Sequence, residues 1–260
     1  MSKNSPISSQ WSRSLAEEAY RQNRLAPALG SLDYLPLLDL LAAIQHFSAK
    51  IGTGTVFDYG CGGAPYRNLF GACKGYIGAD LVPGPHVDKI LDESGLTGEA
   101  DASHDTVLSS QVLEHVPDPS RYLTEAFRIL KPGGHLILTT HGMFLEHGCP
   151  NDFFRWTGYG LEKIVSDCGF RVCQTIKITP GTRAAISLIN MAIDNAGTRH
   201  RLLPHVAIAI SRRLWSISMR PLMHVLASAL DPRAFIPNDA PEAIYIGVGV
   251  LAKKPDAACA

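Results

Sequence analysis

The run Val56-Phe57-Asp58-Tyr59-Gly60-Cys61-Gly62-Gly63 constrains this chain more than any other stretch. A short apolar segment carries an acid near its end and breaks at once into glycines. That pattern predicts a buried strand opening into a loop where a ligand approaches the backbone. Glycines lack Cβ, accept positive φ and leave their N–H groups accessible. The acid implies that the ligand brings positive charge to this edge, which disfavours a bare phosphate.

Residues 54–180 alternate strand-like and helix-like segments. Strands are predicted at 55–59, 75–80, 87–92, 106–110, 135–140 and 170–179, and helices at 66–73, 119–130 and 157–168. Asp118-Pro119 is a helix start, a capping acid followed by proline at the first helical position. Lys131-Pro132-Gly133-Gly134 is a stop, with a base at the negative helix end and glycines beyond it. The alternation predicts an α/β fold with a doubly wound, mainly parallel, Rossmann-like sheet of seven strands. Helical patterns at 13–25 and over Leu35, Leu38, Leu41 and Ile44 precede it. A helical, apolar and basic stretch separates it from a last apolar strand at 243–252. The expected division is a helical extension at 1–51, a core at 52–180 plus 243–254, and a helical insertion or cover at 181–242. Ligands in such sheets sit beyond the strand C-termini.

Composition narrows the classes. Lysine plus arginine and aspartate plus glutamate both total 24. The resulting zero net charge removes the footprint of a nucleic-acid binder. The six cysteines form no Cys-x-x-Cys pair, which indicates neither a zinc ribbon nor a disulfide framework. A reduced, cytoplasmic setting is the expectation. The polar start of the chain shows no secretory signal, and no run of about 20 apolar residues predicts a membrane span.

Two cofactors could use the glycine loop. A dinucleotide requires Gly-x-Gly-x-x-Gly, but Pro65 occupies the third glycine position. Asp58 would also repel a pyrophosphate. S-adenosylmethionine suits the loop better, because its amino group and sulfonium are cationic. The next strand ends at Asp80, placed to accept both ribose hydroxyls. Asp92, after a third strand, could receive the adenine amino group, although the link from Leu81 to His86 is short for a crossover helix.

Together with Ser110-Gln111-Val112-Leu113-Glu114-His115-Val116 and Arg128-Ile129-Leu130-Lys131-Pro132-Gly133-Gly134, these residues resemble the class I S-adenosylmethionine-dependent methyltransferases. The closest likeness is to the small-molecule group called type 11, over about half the chain. The resemblance implies that Asp58, Gly60, Cys61 and Gly62 hold the methionine portion. It places Asp80 and Leu81 at the ribose, Asp92 at the adenine, and Ser110, Gln111 and Leu113 at the reacting end. Leu113 reads more readily as core than as a ligand contact, and Cys61 as a small packed side chain rather than a nucleophile. The expected reaction is methyl transfer, at oxygen, to a small or lipid-linked acceptor of the sugar, polysaccharide or secondary-metabolite type. A non-catalytic S-adenosylmethionine-binding protein is the alternative, with an NAD-dependent oxidoreductase behind it.

On the acceptor side, His115 and His141 follow the fourth and fifth strands and are the catalytic candidates; His115 reads equally as a loop tie. His141, His147 and Cys149 match no familiar metal spacing, so no metal is expected. Asn151-Asp152-Phe153-Phe154-Arg155-Trp156-Thr157 resembles a segment of type 11 relatives. Arg155 could hold an acceptor carboxylate or phosphate and Trp156 could stack on a sugar or aromatic face, or Arg155 could pair with Asp152 and pin the loop. Between Asp194 and Asp231 there is no acid, and Arg199, Arg201, Arg212, Arg213 and Arg220 alternate with apolar residues. That stretch reads as a cover over the acceptor, as a peripheral membrane contact through 199–230, or as a homodimer surface.

Overall fold

In a computed structural model of the chain, the described residues are 18–92, 94–148, 151–196, 205–242 and 244–256, with backbone alone at 196 and 205–209. Cys149, Arg199, Arg201, Ala243 and the first part of the expected 13–25 helix lie outside them.

Strand β1 (Thr55–Tyr59) pairs in parallel with β2 (Gly75–Asp80) on one side and β4 (His104–Ser110) on the other. β3 (Lys89–Ile90) extends the sheet beyond β2, and β5 (Leu130–His141) runs parallel to β4. The full order is β3-β2-β1-β4-β5-β8-β6-β7. β8 (Tyr245–Lys253) slots between β5 and β6 (Arg171–Pro180) and is antiparallel to both. β7 (Phe235–Pro237) is a three-residue antiparallel edge strand, an eighth beside the seven expected. The buried strands read as unbroken apolar runs because helices cover both faces.

One face is covered by α3 (Pro119–Ile129) and α4 (Gly158–Asp167). Leu123, Ala126, Ile129, Leu161 and Val165 pack there against Phe57, Val107, Leu136 and Val250. On the other face α2 (Tyr34–Ser48) places Leu40, Ala43, Ile44 and Phe47 against Val56, Leu108, Ile137 and Leu251. Asp118 caps α3 by accepting from Arg121 N at 3.0 Å. Thr157 caps α4 through Gly160 N at 3.1 Å.

Helix α1 (18–25) precedes α2. Between β6 and β7 lie α5 (Gly181–Ala196), α6 (His205–Leu214), a π turn (Trp215–Met219) and α7 (Arg220–Leu230). Leu35 of α2, Ile186 of α5 and Ala227 of α7 form a small core there. A buried ion pair joins Arg183 of α5 to Asp39 of α2.

Three local expectations change. The helix at 66–73 is a single 3-10 turn, Arg67–Phe70, because Pro65 precedes it and Gly71 follows. The strand at 87–92 contracts to Lys89–Ile90 on the sheet side away from the core. β5 begins at Leu130, which pairs with His104, so the Lys131-Pro132-Gly133-Gly134 turn lies within the strand as an irregularity.

Candidate active site

The parallel strands end together at one edge, where β1 opens into the glycine loop. Gly60 has φ +82°, and a Cβ there would stand 2.6 Å from Val112 Cγ2. The N–H groups of Gly60 and Cys61 both donate to Ala79 O, at 2.8 and 3.0 Å. Asp80 accepts from Gly62 N (2.8 Å) and Val82 N (3.0 Å). It therefore fixes the loop against β2 and keeps lone pairs for further donors. Leu81 is exposed beside it, as is Asp92 beyond β3, which accepts from Ser94 N and Leu96 N.

Asp58 is 3% exposed and accepts a hydrogen bond from the Tyr76 hydroxyl. Burial pushes its carboxyl pKa up to about 7; the Tyr76 bond opposes the shift and nearby Asp80 adds to it. Arg67 also opposes the shift from nearby, but no ion pair reaches this carboxylate among the described residues; an ammonium group would supply one. Cys61 is buried, and its thiol pKa is raised by desolvation and by Asp58 and Asp80, so it is not a nucleophile.

Beyond β4 the chain turns at Gln111, whose φ is +57° and whose N–H donates to Thr139 O at 2.8 Å. Its side-chain oxygen is buried without a partner. Ser110 Oγ accepts from Thr139 Oγ1 at 3.1 Å. Leu113 is packed in the core with no accessible surface. A contact of its side chain with a cofactor would require repacking, whereas the Gln111 amide oxygen has no partner to give up. The unpartnered amide, the glycine turn and the buried Asp58 carboxylate together fit S-adenosylmethionine.

Gln111 also lines a cavity of about 160 Å³. Its other walls come from Arg24 of α1, from Asp33, Pro36, Leu37 and Leu40 at the start of α2, and from His141, Phe144 and His147. Ile178, Thr179, Ile246 and Gly247 close it. Among the described residues, none of this cavity's lining comes from 181–242; α1, α2 and the β5–α4 connection border it.

His141 stacks on Phe144 at 4.1 Å. Its Nε2 lies 3.4 Å from Oε1 of Glu114, which has no accessible surface. Glu114 Oε2 accepts from Thr140 Oγ1 at 2.8 Å, whereas Oε1 has no hydrogen-bond partner. Desolvation raises the Glu114 pKa and holds that of His141 well below the usual imidazole value, with His147 and Arg155 adding to the latter. His115 does not line the cavity. It hydrogen-bonds to Asn151 O through Nδ1 at 2.7 Å and so ties the connection down. Glu114, His115 and His147 place one donor atom each within 4.8 Å of one another.

Arg155 is engaged within its own loop. Its guanidinium is paired with Asp152 and donates to the carbonyls of Phe144 (3.2 Å) and Leu145 (2.7 Å). Trp156 packs against the core; its backbone N–H donates to His141 O at 2.9 Å, and its indole Nε1 is buried without a hydrogen-bond partner. Neither lines the cavity. Sequence reasoning passed over Glu114, which lies within the quoted 110–116 motif, and Arg24, Asp33 and Phe144, which no local pattern marks.

This strand order, with a glycine turn after β1 and an acid ending β2, defines the class I S-adenosylmethionine-dependent methyltransferase fold. A family profile described as a methyltransferase domain matches residues 30–173, and the chain belongs to that family. The dinucleotide alternative falls with that membership.

A ubiquinone biosynthesis O-methyltransferase of Xanthomonas euvesicatoria pv. vesicatoria is 34% identical over 106 residues, 35% of this chain and 44% of that protein. One from Cereibacter sphaeroides (strain KD131) is 40% identical over 102 residues, 33% of this chain and 40% of that protein. The chain spans less than half the length of these relatives. Among solved structures, a chain from the complex of the Haloferax volcanii Trm112 methyltransferase activator with a methyltransferase has a TM-score of 0.51 at 14% identity. That match covers 98% of this chain and 100% of the other. The cyclase SpnF gives 0.54 at 15% identity, over 95% and 96%. These two likenesses concern the fold alone, and the cyclase shows that the fold by itself does not fix the reaction.

Proposed function

We propose that the protein transfers a methyl group from S-adenosylmethionine to a hydroxyl oxygen of a small or lipid-linked acceptor. The observation that carries this reading is the shared cavity, into which Gln111 and His141 both face. When bound, the cofactor supplies an electrophilic methyl group on a sulfonium.

Asp58 and the Gly60–Gly62 loop hold the methionine portion, Asp80 and Leu81 the ribose, and Asp92 the adenine side. Gln111 and the neighbouring Ser110 stand at the reacting end. The cavity walls would orient the acceptor hydroxyl toward the cofactor and exclude water. His141, neutral at pH 7 because its pKa is depressed, takes the hydroxyl proton. Glu114 beside it favours the imidazolium that forms. The new O–C bond replaces the S–C bond, whose electron pair stays on sulfur.

Oxygen as the target is supported by the relatives' name, O-methyltransferase. The apolar walls from Leu37, Leu40, Phe144 and Ile178 favour a phenolic acceptor over a sugar or polysaccharide. Release of S-adenosylhomocysteine should be measured with phenols, sugars and lipid extracts. Phenol-dependent release is expected. Cofactor binding without release from any of them would favour the non-catalytic binding reading instead.

A further inference from the structure

The continuous helix formed by α6, the π turn and α7 faces the wrong way for a helix of a water-soluble surface. Ile210, Leu214, Ile217, Leu222, Leu226 and Leu230 form one stripe along it. Their spacings are four, three, five, four and four, and the step of five crosses the π turn. All six are exposed, Ile217 at 61% and Leu230 at 71%.

The inward face carries the polar anchors. Arg220, 4% exposed, is paired with Asp194 of α5 and donates to Gly30 O at 3.2 Å. His224 has no accessible surface; it donates from Nδ1 to Leu29 O (2.8 Å) and accepts from Asn190 Nδ2 at Nε2 (3.1 Å). Trp215 Nε1 donates to Asn190 Oδ1 at 3.0 Å. Rotating the helix to bury its apolar stripe would strip Asp194 and Asn190 of these partners and expose a pair built for the interior. The outward orientation is therefore held by specific bonds.

We infer that this stripe is a seat for an anionic lipid surface, on which the protein lies peripherally. Among the described residues no helix is long and apolar enough to cross a membrane, so the geometry is that of a helix lying in the interface. Charge selects this occupant over a second copy of the chain. No acid occurs between Asp194 and Asp231. Arg213 stands exposed beside the stripe, and Arg212 reaches Asp194 only at 3.9 Å. Two such faces meeting would bring like charges together, whereas anionic headgroups neutralise them. The inference is independent of the acceptor and of methyl transfer.

The test is flotation of the full chain with phosphatidylcholine vesicles, with and without phosphatidylglycerol, alongside light scattering of the free protein. The wild type should float only with phosphatidylglycerol. Arg213→Gln should lower the partition coefficient roughly fivefold. Leu214→Glu with Leu222→Glu should abolish flotation while S-adenosylhomocysteine binding, read by calorimetry, persists. Absence of flotation with phosphatidylglycerol, or flotation that survives the double substitution, overturns the proposal. A dimer that the double substitution dissociates, with no vesicle binding, overturns it in favour of an interface between copies.

Discussion

Replacing Asp58 by asparagine removes the charge on which the cofactor reading turns. Asp58 is almost wholly enclosed, and burial raises its carboxyl from an ordinary 3.8 to about 7, with Tyr76 opposing and Asp80 reinforcing the shift. Its folded pKa lies above its unfolded one. The stability linked to it is therefore complete below about pH 4 and is lost as pH rises through about 7. An ammonium group beside the carboxylate holds it ionised and reverses that loss. Binding at a pH below 7 must then expel a proton. The affinity for S-adenosylhomocysteine should accordingly rise by up to about tenfold per pH unit between roughly pH 5 and 7, and level off above. Calorimetry in two buffers of different ionisation enthalpy reads both the affinity and the proton count. In Asp58→Asn the slope and the proton release should vanish, and the largest loss of affinity should occur at the alkaline end. A wild-type affinity independent of pH, or a slope that persists in the variant, would refute the reasoning.

Three further outcomes follow from the same geometry. Asp80→Ala should weaken S-adenosylhomocysteine roughly ten- to a hundredfold by calorimetry, through the loss of one or two charge-assisted hydrogen bonds; unchanged affinity removes the ribose assignment. His141→Ala should lower turnover by about 10²–10⁴ with little change in cofactor affinity, whereas equal effects on both take it off the acceptor side. Gly60→Ala should cost about 1–3 kcal/mol in denaturant unfolding, because the position combines a φ of +82° with a Cβ 2.6 Å from Val112; an unchanged midpoint contradicts the loop geometry.

The strands were legible wherever burial on both faces left an unbroken apolar run. The bounds 55–59 and 75–80 coincide with β1 and β2, and Asp118-Pro119 opens α3 as a capping acid and proline should. Legibility failed where long-range pairing decided the outcome. The Lys131-Pro132-Gly133-Gly134 segment looks like a turn locally, but His104 recruits Leu130 into β5 ahead of it. The edge strand β7 has only three residues and exists because β6 offers it a partner.

The glycine turn and the strand-end acids could be placed at one sheet edge because they are neighbours in sequence. The cavity beside Gln111 and His141 could not be read, because α1, α2, β6 and β8 each lend it one to three residues from distant segments. Arg155 illustrates the limit: its type and position admitted both an anion site and a pairing with Asp152, and only the structure shows the guanidinium on Asp152. Glu114 shows the converse, a functional candidate hidden inside a motif whose neighbours drew the attention.

A crystal structure with S-adenosylhomocysteine tests the central claim most directly. The ribose hydroxyls should rest on the Asp80 carboxylate, the amino group should lie at the Asp58 edge, and the sulfur should open toward the space between Gln111 and His141. A ligand bound with its ribose away from Asp80, or with its sulfur turned from that cavity, would contradict the account.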